Sequence, residues 1–367
     1  MDAIHIAQPM LGEAETAEVL TVLRSGRLAA GERVRQFEDE FAKMVGARYA
    51  VATSSGTTAL QAALRALELK PGALVITTPF SFIATGNAIL DAGLTPLFVD
   101  IEPDTFNLNP VALAEALRGR PNVGAVLAVH LFGLPFSREI PALCRQYGIP
   151  LVEDAAQAHG AMLDGRMVGS LGQVAAFSFY ATKNMTTGEG GMVTTSDPQI
   201  AERVRLLVNH GQRARYQHER LGFNYRMTEL QAAIGLPQLR ALPERNERRR
   251  RLADYYHRTL PAQLRKPIEP PGYYHVYHQY TLRHSDRDRV QRTLARQGIE
   301  AVVYYPKLIP QQPAYASARY VAEPCPEAER AAREVISIPV HPGVTDEQAQ
   351  RIVRTVTQAC EESGSDA

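Results

Sequence analysis

From about residue 47 to residue 195 the chain alternates short apolar β-rich runs with helical patterns, and no other feature restricts its fold as strongly. "YAVATSS", "ALVITTP", "TPLFVDI", "VGAVLAVHLFG" and "IPLVEDA" are separated by helical segments, and "AAFSFYA" and "GGMVTTS" follow. Between the first two, "GTTALQAALRALEL" sets Leu60, Leu64 and Leu67 on one helical face, and "SFIATGNAILDAG" closes on Gly93. Apolar strands alternating with helices predict an α/β fold: a doubly wound, mainly parallel sheet covered by helices on both faces. Such sheets bind ligands at the carboxyl ends of their strands. The residues just after each strand therefore matter most: 54–57, 79–82, 154–157 and 178–183.

On either side the pattern differs. Residues 13–24 read as an amphipathic helix, and a Gly-containing turn leads from it into another. Near residue 237 comes a long Arg-rich helical stretch that reads as broken by Pro237 and Pro243, followed by "YYHVYHQYTLRH", "GIEAVVYYP" and a last helix, "DEQAQRIVRTVTQAC". The expected division is residues 1–240 for N-terminal helices and a large cofactor-binding domain, and 241–367 for a smaller C-terminal α+β domain. The run Arg248–Arg251 reads as a solvated helix face. A net charge of +1 gives no bulk attraction to nucleic acid or to an anionic membrane. The tail "ESGSDA" is expected to fray.

The 367 residues are enough for two domains and a sizeable core, and 45% hydrophobic with 22% charged residues is ordinary globular composition. Cys144, Cys325 and Cys360 are odd in number and lack metal-type spacing. The N-terminus has no basic region followed by a long apolar one, and no run approaches a membrane span. A cytoplasmic protein is expected.

The chemistry-bearing residues lie at strand ends. "TSSGTTAL" joins a strand to a helix, where unpaired N–H groups and the positive dipole end suit a phosphate. Gly56 lets a ligand approach, Ser55 and Thr57 can add hydroxyls, and plain helix capping explains the same residues. Glu153 and Asp154 end an apolar strand on opposite sides. One of them should face the ligand edge, where a buried carboxylate needs a cationic or protonated partner; a cap or a salt bridge is the alternative. "FSFYATKN" supplies Ser178 and Lys183. Lys183 can be a surface charge, a phosphate clamp, or an amine nucleophile of lowered pKa. "TTGEGG" after it supplies close-approach backbone.

Taken in order, these residues fit pyridoxal 5'-phosphate (PLP). Its phosphate needs N–H and hydroxyl donors, its ring a stacking face, its pyridinium nitrogen a carboxylate, and its aldehyde an amine. An aromatic after "TTP" supplies the stacking face.

The chain resembles the DegT/DnrJ/EryC1/StrS family of sugar aminotransferases, of the aspartate-aminotransferase-like fold, over nearly its whole length. The motifs are "SGRLAAGERVRQFEDEFA", "ATSSGTTALQAAL", "VEDAAQAHGA", "FSFYATKNMTTGEGGMVTT", "GFNYRMTELQAAIG" and "QQPAY". The resemblance implies that Lys183 is the Schiff-base lysine and proton carrier, Asp154 the pyridinium partner, and Gln157 a contact to the ring hydroxyl. It implies that Phe82 stacks on the ring, and that Gly56, Thr57 and Ser178 bind the phosphate. Asn224 would cross a dimer interface to the neighbouring phosphate, making the active unit a homodimer with shared sites. A branch with histidine in place of the lysine dehydrates or deoxygenates instead, so Lys183 favours amino transfer. The implied reaction moves the amino group of L-glutamate to a nucleotide-linked keto-deoxysugar, with the "TTGEGG" loop favouring C4 over C3. Pro310 in "LIPQQPAY" stands where relatives often carry histidine. Amination of a cyclitol or antibiotic ring precursor, and a PLP-binding regulator without turnover, are the alternative readings.

Overall fold

The computed structural model describes residues 3–361, so the tail "ESGSDA" lies outside the described residues. Seven strands follow the sequence pattern: β1 (Tyr49–Thr53), β2 (Leu74–Thr77), β3 (Thr95–Phe98), β4 (Val123–Val129), β5 (Leu151–Asp154), β6 (Val174–Ser178) and β7 (Gly191–Thr195). Besides other short two- and three-residue pairings, the later strands include β8 (Tyr280–Arg283), β9 (Val321–Ala322) and β10 (Val335–Ile338). The large sheet runs β1-β7-β6-β5-β4-β2-β3-β9, parallel throughout except that β7 lies antiparallel to both β1 and β6. The expected α/β architecture, with a mainly parallel sheet, is what the chain forms. The single reversed strand leaves β1, β5 and β6 ending at one edge, which gathers residues 54–57, 154–157 and 178–183 there.

The period of two decides which helix each strand residue meets. Ala50, Ala52, Ala175, Phe177 and Met192 share a core cluster with Phe37, Phe41, Leu236 and Leu239. These last four belong to α2 (Glu32–Val45), which follows α1 (Glu13–Ser25), and to a long helix, Glu229–Thr259. The alternate residues Val51, Val75, Val152, Val174 and Val193 face the other side, with Leu60, Ile89, Ile200 and Val204. Those come from α3 (Gly56–Ala66), α4 (Ala84–Asp91) and the helix Pro198–Val208. Every residue of β2, β5 and β6 is buried, as expected for a sheet covered on both faces.

The long helix corrects one expectation. Pro237 and Pro243 lie inside 31 unbroken helical residues, Glu229–Thr259. Each proline removes one N–H bond and crowds the preceding turn, costing about 3 kcal/mol. Neither proline is on the buried stripe, which carries Leu236, Leu239, Leu242, Leu252 and Tyr256. Burying each such side chain contributes about 1.5–3 kcal/mol, so packing outweighs the local penalty. Gly235 brings this helix close to its neighbours, since a Cβ there would lie 2.8 Å from the Phe37 ring and 3.0 Å from Thr187 Cγ2.

The solvated reading of Arg248–Arg251 also fails. Arg248 pairs with Asp346 at 2.8 Å, and Arg250 pairs with Glu269 at 2.8 Å and lies over the Tyr274 ring. Arg249 is buried and donates to the Tyr277 carbonyl, while Arg251 is exposed. Three of the four arginines tie the long helix to C-terminal segments, and Arg251 faces water. A second core joins this helix to β8, β10 and the helices Arg287–Arg296 and Asp346–Glu361, and Ile4 from the N-terminus inserts into it. Among the described residues, no helix is long and apolar enough to cross a membrane.

Candidate active site

β1 ends at Thr53 and turns through Ser54 and Ser55 into α3. Ser55 caps that helix: its Oγ accepts the Thr58 N–H at 3.1 Å, while Thr58 Oγ1 accepts the Ser55 N–H at 3.0 Å. Capping therefore occupies an acceptor site of the Ser55 hydroxyl, whose own O–H can still donate, beside the turn at Gly56 and Thr57. A Cβ on Gly56 would stand 2.5 Å from Ser178 Cβ, so only glycine lets this helix start rest against the end of β6. Ser178 Oγ accepts from Tyr180 N–H at 3.3 Å, which frees its own O–H to donate elsewhere. A helix N-terminus, the exposed Thr57 and a free hydroxyl thus converge as an anion cradle.

The two acids ending β5 are both buried, where sequence reasoning expected one at the ligand edge. They differ in how far their acceptor capacity is filled. Glu153 accepts from the N–H groups of Gly169, Leu171 and Gly172 at 2.9, 2.7 and 2.7 Å and meets His130 Nε2 at 3.0 Å. A carboxylate has about four lone-pair sites, so Glu153 is saturated and structural. Asp154 accepts from only two donors among the described residues: Thr85 Oγ1 at 2.8 Å to Oδ2 and Ala156 N–H at 3.2 Å to Oδ1. Burial raises its pKa, opposed by those two hydrogen bonds and by the positive charge of Lys183. Asp154 is a buried carboxylate with room for a further proton or cation.

Lys183 follows β6 in a turn closed by its own N–H on the Tyr180 carbonyl at 2.9 Å. Burial of the amine lowers its pKa to about 8, with the Asp154 carboxylate pulling the other way. Its neighbour Asn184 anchors the backbone. Asn184 Nδ2 donates to Asn246 Oδ1 and the Val276 carbonyl at 2.9 and 3.1 Å, so its Oδ1 is the acceptor facing His278 Nδ1 at 3.1 Å. Asn246 in turn donates to the His159 carbonyl at 2.8 Å. Burial and the charge of Lys183 hold both histidines neutral: His159 is pushed down to about 3, and His278 lies well below its usual range.

Gln157 is locked in one orientation. The Phe132 N–H donates to its Oε1 at 2.7 Å, so its Nε2 is the outward donor, and one of those hydrogens meets Tyr305 Oη at 3.1 Å. Phe82 sits in the β2–α4 connection with 57% of its surface exposed, its ring 6.3 Å from that of Tyr305. Tyr305 thus lies against both the exposed Phe82 ring and the Gln157 amide. Asn224 is exposed, with its backbone bridging Asn209, and the adjacent Tyr225 carbonyl accepts the Ser54 N–H at 2.7 Å.

Two of the three glycines of "TTGEGG" give their space to the protein itself, whereas a Cβ on Gly188 would meet nothing within 4 Å. A Cβ on Gly191 would collide with the Ser55 carbonyl, and one on Gly190 with Thr187 Oγ1. Sequence reasoning passed over Thr85, Tyr305, Asn184 and His278. Only Asn184, next to Lys183, carried a positional hint.

The chain has the fold of aminotransferases. The crystal structure of S. venezuelae DesV in complex with a ketimine intermediate superimposes with a TM-score of 0.90 at 39% identity, covering 95% of this chain and 94% of that one. The chain belongs to the DegT/DnrJ/EryC1/StrS aminotransferase family, whose model matches residues 9–357. A UDP-N-acetyl-3-dehydro-α-D-glucosamine 3-aminotransferase of Acidithiobacillus ferrooxidans is 39% identical, over 92% of this chain and 93% of its own length. A "pleiotropic regulatory protein" of Geobacillus stearothermophilus is 40% identical over 92% of each.

Proposed function

We propose that the chain binds PLP and transfers the amino group of L-glutamate to a nucleotide-linked keto-deoxysugar. The observation that carries this reading is the pairing of a half-satisfied buried Asp154 with a Lys183 of lowered pKa, beside an anion cradle at Gly56 and Ser178. When bound, PLP supplies an aldehyde that takes up and returns the amino group and a ring that accepts electrons from carbon.

The chain's own residues do the rest. Gly56 and Thr57 N–H groups and the Ser178 hydroxyl hold the phosphate. Phe82 packs on one ring face, and Gln157 Nε2 donates to the ring oxygen, in the orientation that Phe132 fixes. Asp154 holds a proton at the ring nitrogen, which also supplies the partner its burial demands. Lys183 Nζ would hold the cofactor's aldehyde carbon and, as a free amine, would be the group placed to move a proton. His159 and His278, neutral and buried, add no positive charge that would compete with the ring proton.

Purified protein with L-glutamate and a panel of dTDP-, UDP- and GDP-linked keto-sugars is expected to give 2-oxoglutarate and one amino sugar. Absence of amine on every nucleotide sugar, alongside turnover of a keto-cyclitol, would move the substrate to the cyclitol class. The "TTGEGG" loop favours C4 of the sugar, whereas the likeness to a 3-aminotransferase favours C3; proton–carbon NMR of the product assigns the carbon. A regulator without turnover would bind the cofactor and yield no 2-oxoglutarate.

The unit we propose is a homodimer in which Asn224 of each chain completes the partner's phosphate site, supported by the exposure of Asn224 in the single chain. Mixing Lys183→Ala chains with Asn224→Ala chains should restore up to about a quarter of wild-type activity, because a hybrid dimer keeps one intact site. Hybrids shown to form without any recovery would refute shared sites.

A further inference from the structure

Asp154 does not meet the β2–α4 connection by packing alone. Thr85, in the first turn of α4 and 1% exposed, donates its hydroxyl to Asp154 Oδ2 at 2.8 Å. Ser81, likewise buried, lies 2.9 Å from the same Thr85 oxygen. An ionised carboxylate only accepts, so Thr85 spends its proton on Asp154 and Ser81 must donate to Thr85. The chain of hydroxyls is therefore directed, Ser81 to Thr85 to Asp154, and each donor polarises the next. The Thr85 N–H also bonds the Phe82 carbonyl at 3.1 Å. One residue thus joins the aromatic of the ring face to the carboxylate of the ring nitrogen, 69 positions apart from Thr85 in sequence.

We propose that Thr85 is a positioning residue that keeps the proton on the cofactor's ring nitrogen: its hydroxyl, backed by Ser81, fills Asp154 Oδ2 and holds the carboxylate a weak base. The inference rests on the reading of Asp154 as the ring-nitrogen partner. Without the hydroxyl, a buried carboxylate oxygen loses a charge-assisted hydrogen bond and becomes more basic. It then takes a larger share of the proton that it and the ring nitrogen both bind. The Ala156 N–H on Oδ1 cannot compensate, being 3.2 Å away and already engaged.

The test is the nitrogen-15 resonance of ring-labelled PLP in the holoenzyme, with kcat and KM measured alongside. Thr85→Val, nearly isosteric, should move the resonance towards that of the unprotonated ring and lower kcat about tenfold to a hundredfold, the value of a hydrogen bond to a charged group, with KM little changed. Thr85→Ser should keep the wild-type resonance, and Ser81→Ala should shift it part of the way. A Thr85→Val enzyme with the wild-type resonance and kcat would overturn the inference. So would a loss in Thr85→Ser as large as that in Thr85→Val, which shows that the hydroxyl alone does not carry the effect. If the wild-type ring is itself unprotonated, or Asp154→Asn leaves it protonated, the reading of Asp154 fails first and the inference falls with it.

Discussion

Lys183→Ala should leave a protein that folds but no longer forms a borohydride-stable cofactor adduct, with amino transfer down by at least about 10²- to 10⁴-fold. That range is what positioned proton transfer alone contributes, and here the covalent tether is lost as well. The lowered pKa explains why this amine suits the role. At about 8, roughly a tenth of the amines are neutral at pH 7, against roughly three in ten thousand for an unshifted lysine. Adding PLP to apoprotein should therefore give an adduct rate that climbs with pH and levels off above about 8. The sign follows from the free base being the nucleophile. Peptide mass mapping of the reduced adduct should place the added mass on Lys183. A Lys183→Ala variant that still traps PLP at wild-type yield would remove the lysine from the chemistry.

The same lysine shows why part of the site was legible in the sequence. Strand–helix alternation fixed the edge at which β1, β5 and β6 end, so Gly56, Ser178, Lys183 and the pair Glu153 and Asp154 could be named from order alone. Their chemical fitness depends on contacts that order does not reveal. Nothing in "VEDAAQ" tells Glu153 from Asp154; the difference is that the loop at 169–172 turns three N–H groups onto Glu153 and none onto Asp154. Tyr305 meets Gln157 across 148 positions, and no local period marks it. The proline reading failed because intrinsic preference is a weak prior against a buried stripe of leucines. The arginine run misled for a related reason. Its partners Glu269 and Asp346 are distant in sequence, so its charges looked unpaired.

Asp154→Asn should separate stability from activity in opposite directions. The uncharged amide cannot hold a proton at the ring nitrogen as an anion does, so amino transfer should fall by about 10²- to 10⁴-fold, comparable to the loss of a positioned acid–base group. In the apoprotein, Asp154 has a raised pKa because burial penalises its charged form more than Thr85, Ala156 and Lys183 favour it. A carboxyl whose folded pKa exceeds its unfolded value binds more protons when folded. Stability is then fully kept below the unfolded value near 3.8 and is lost as pH rises through the folded one. Removing the charge lifts that penalty. Apo Asp154→Asn should melt above the apo wild type at pH 7, and the gap should close as pH falls towards 4. PLP should reverse the order at neutral pH, because the ring proton gives the wild-type carboxylate its partner and the linked binding energy adds to its stability. Thermal melts of both proteins, with and without PLP at pH 4 and 7, read all of these signs. An apo variant that melts below the apo wild type at pH 7 would mean that the Asp154 charge is already satisfied by the chain alone.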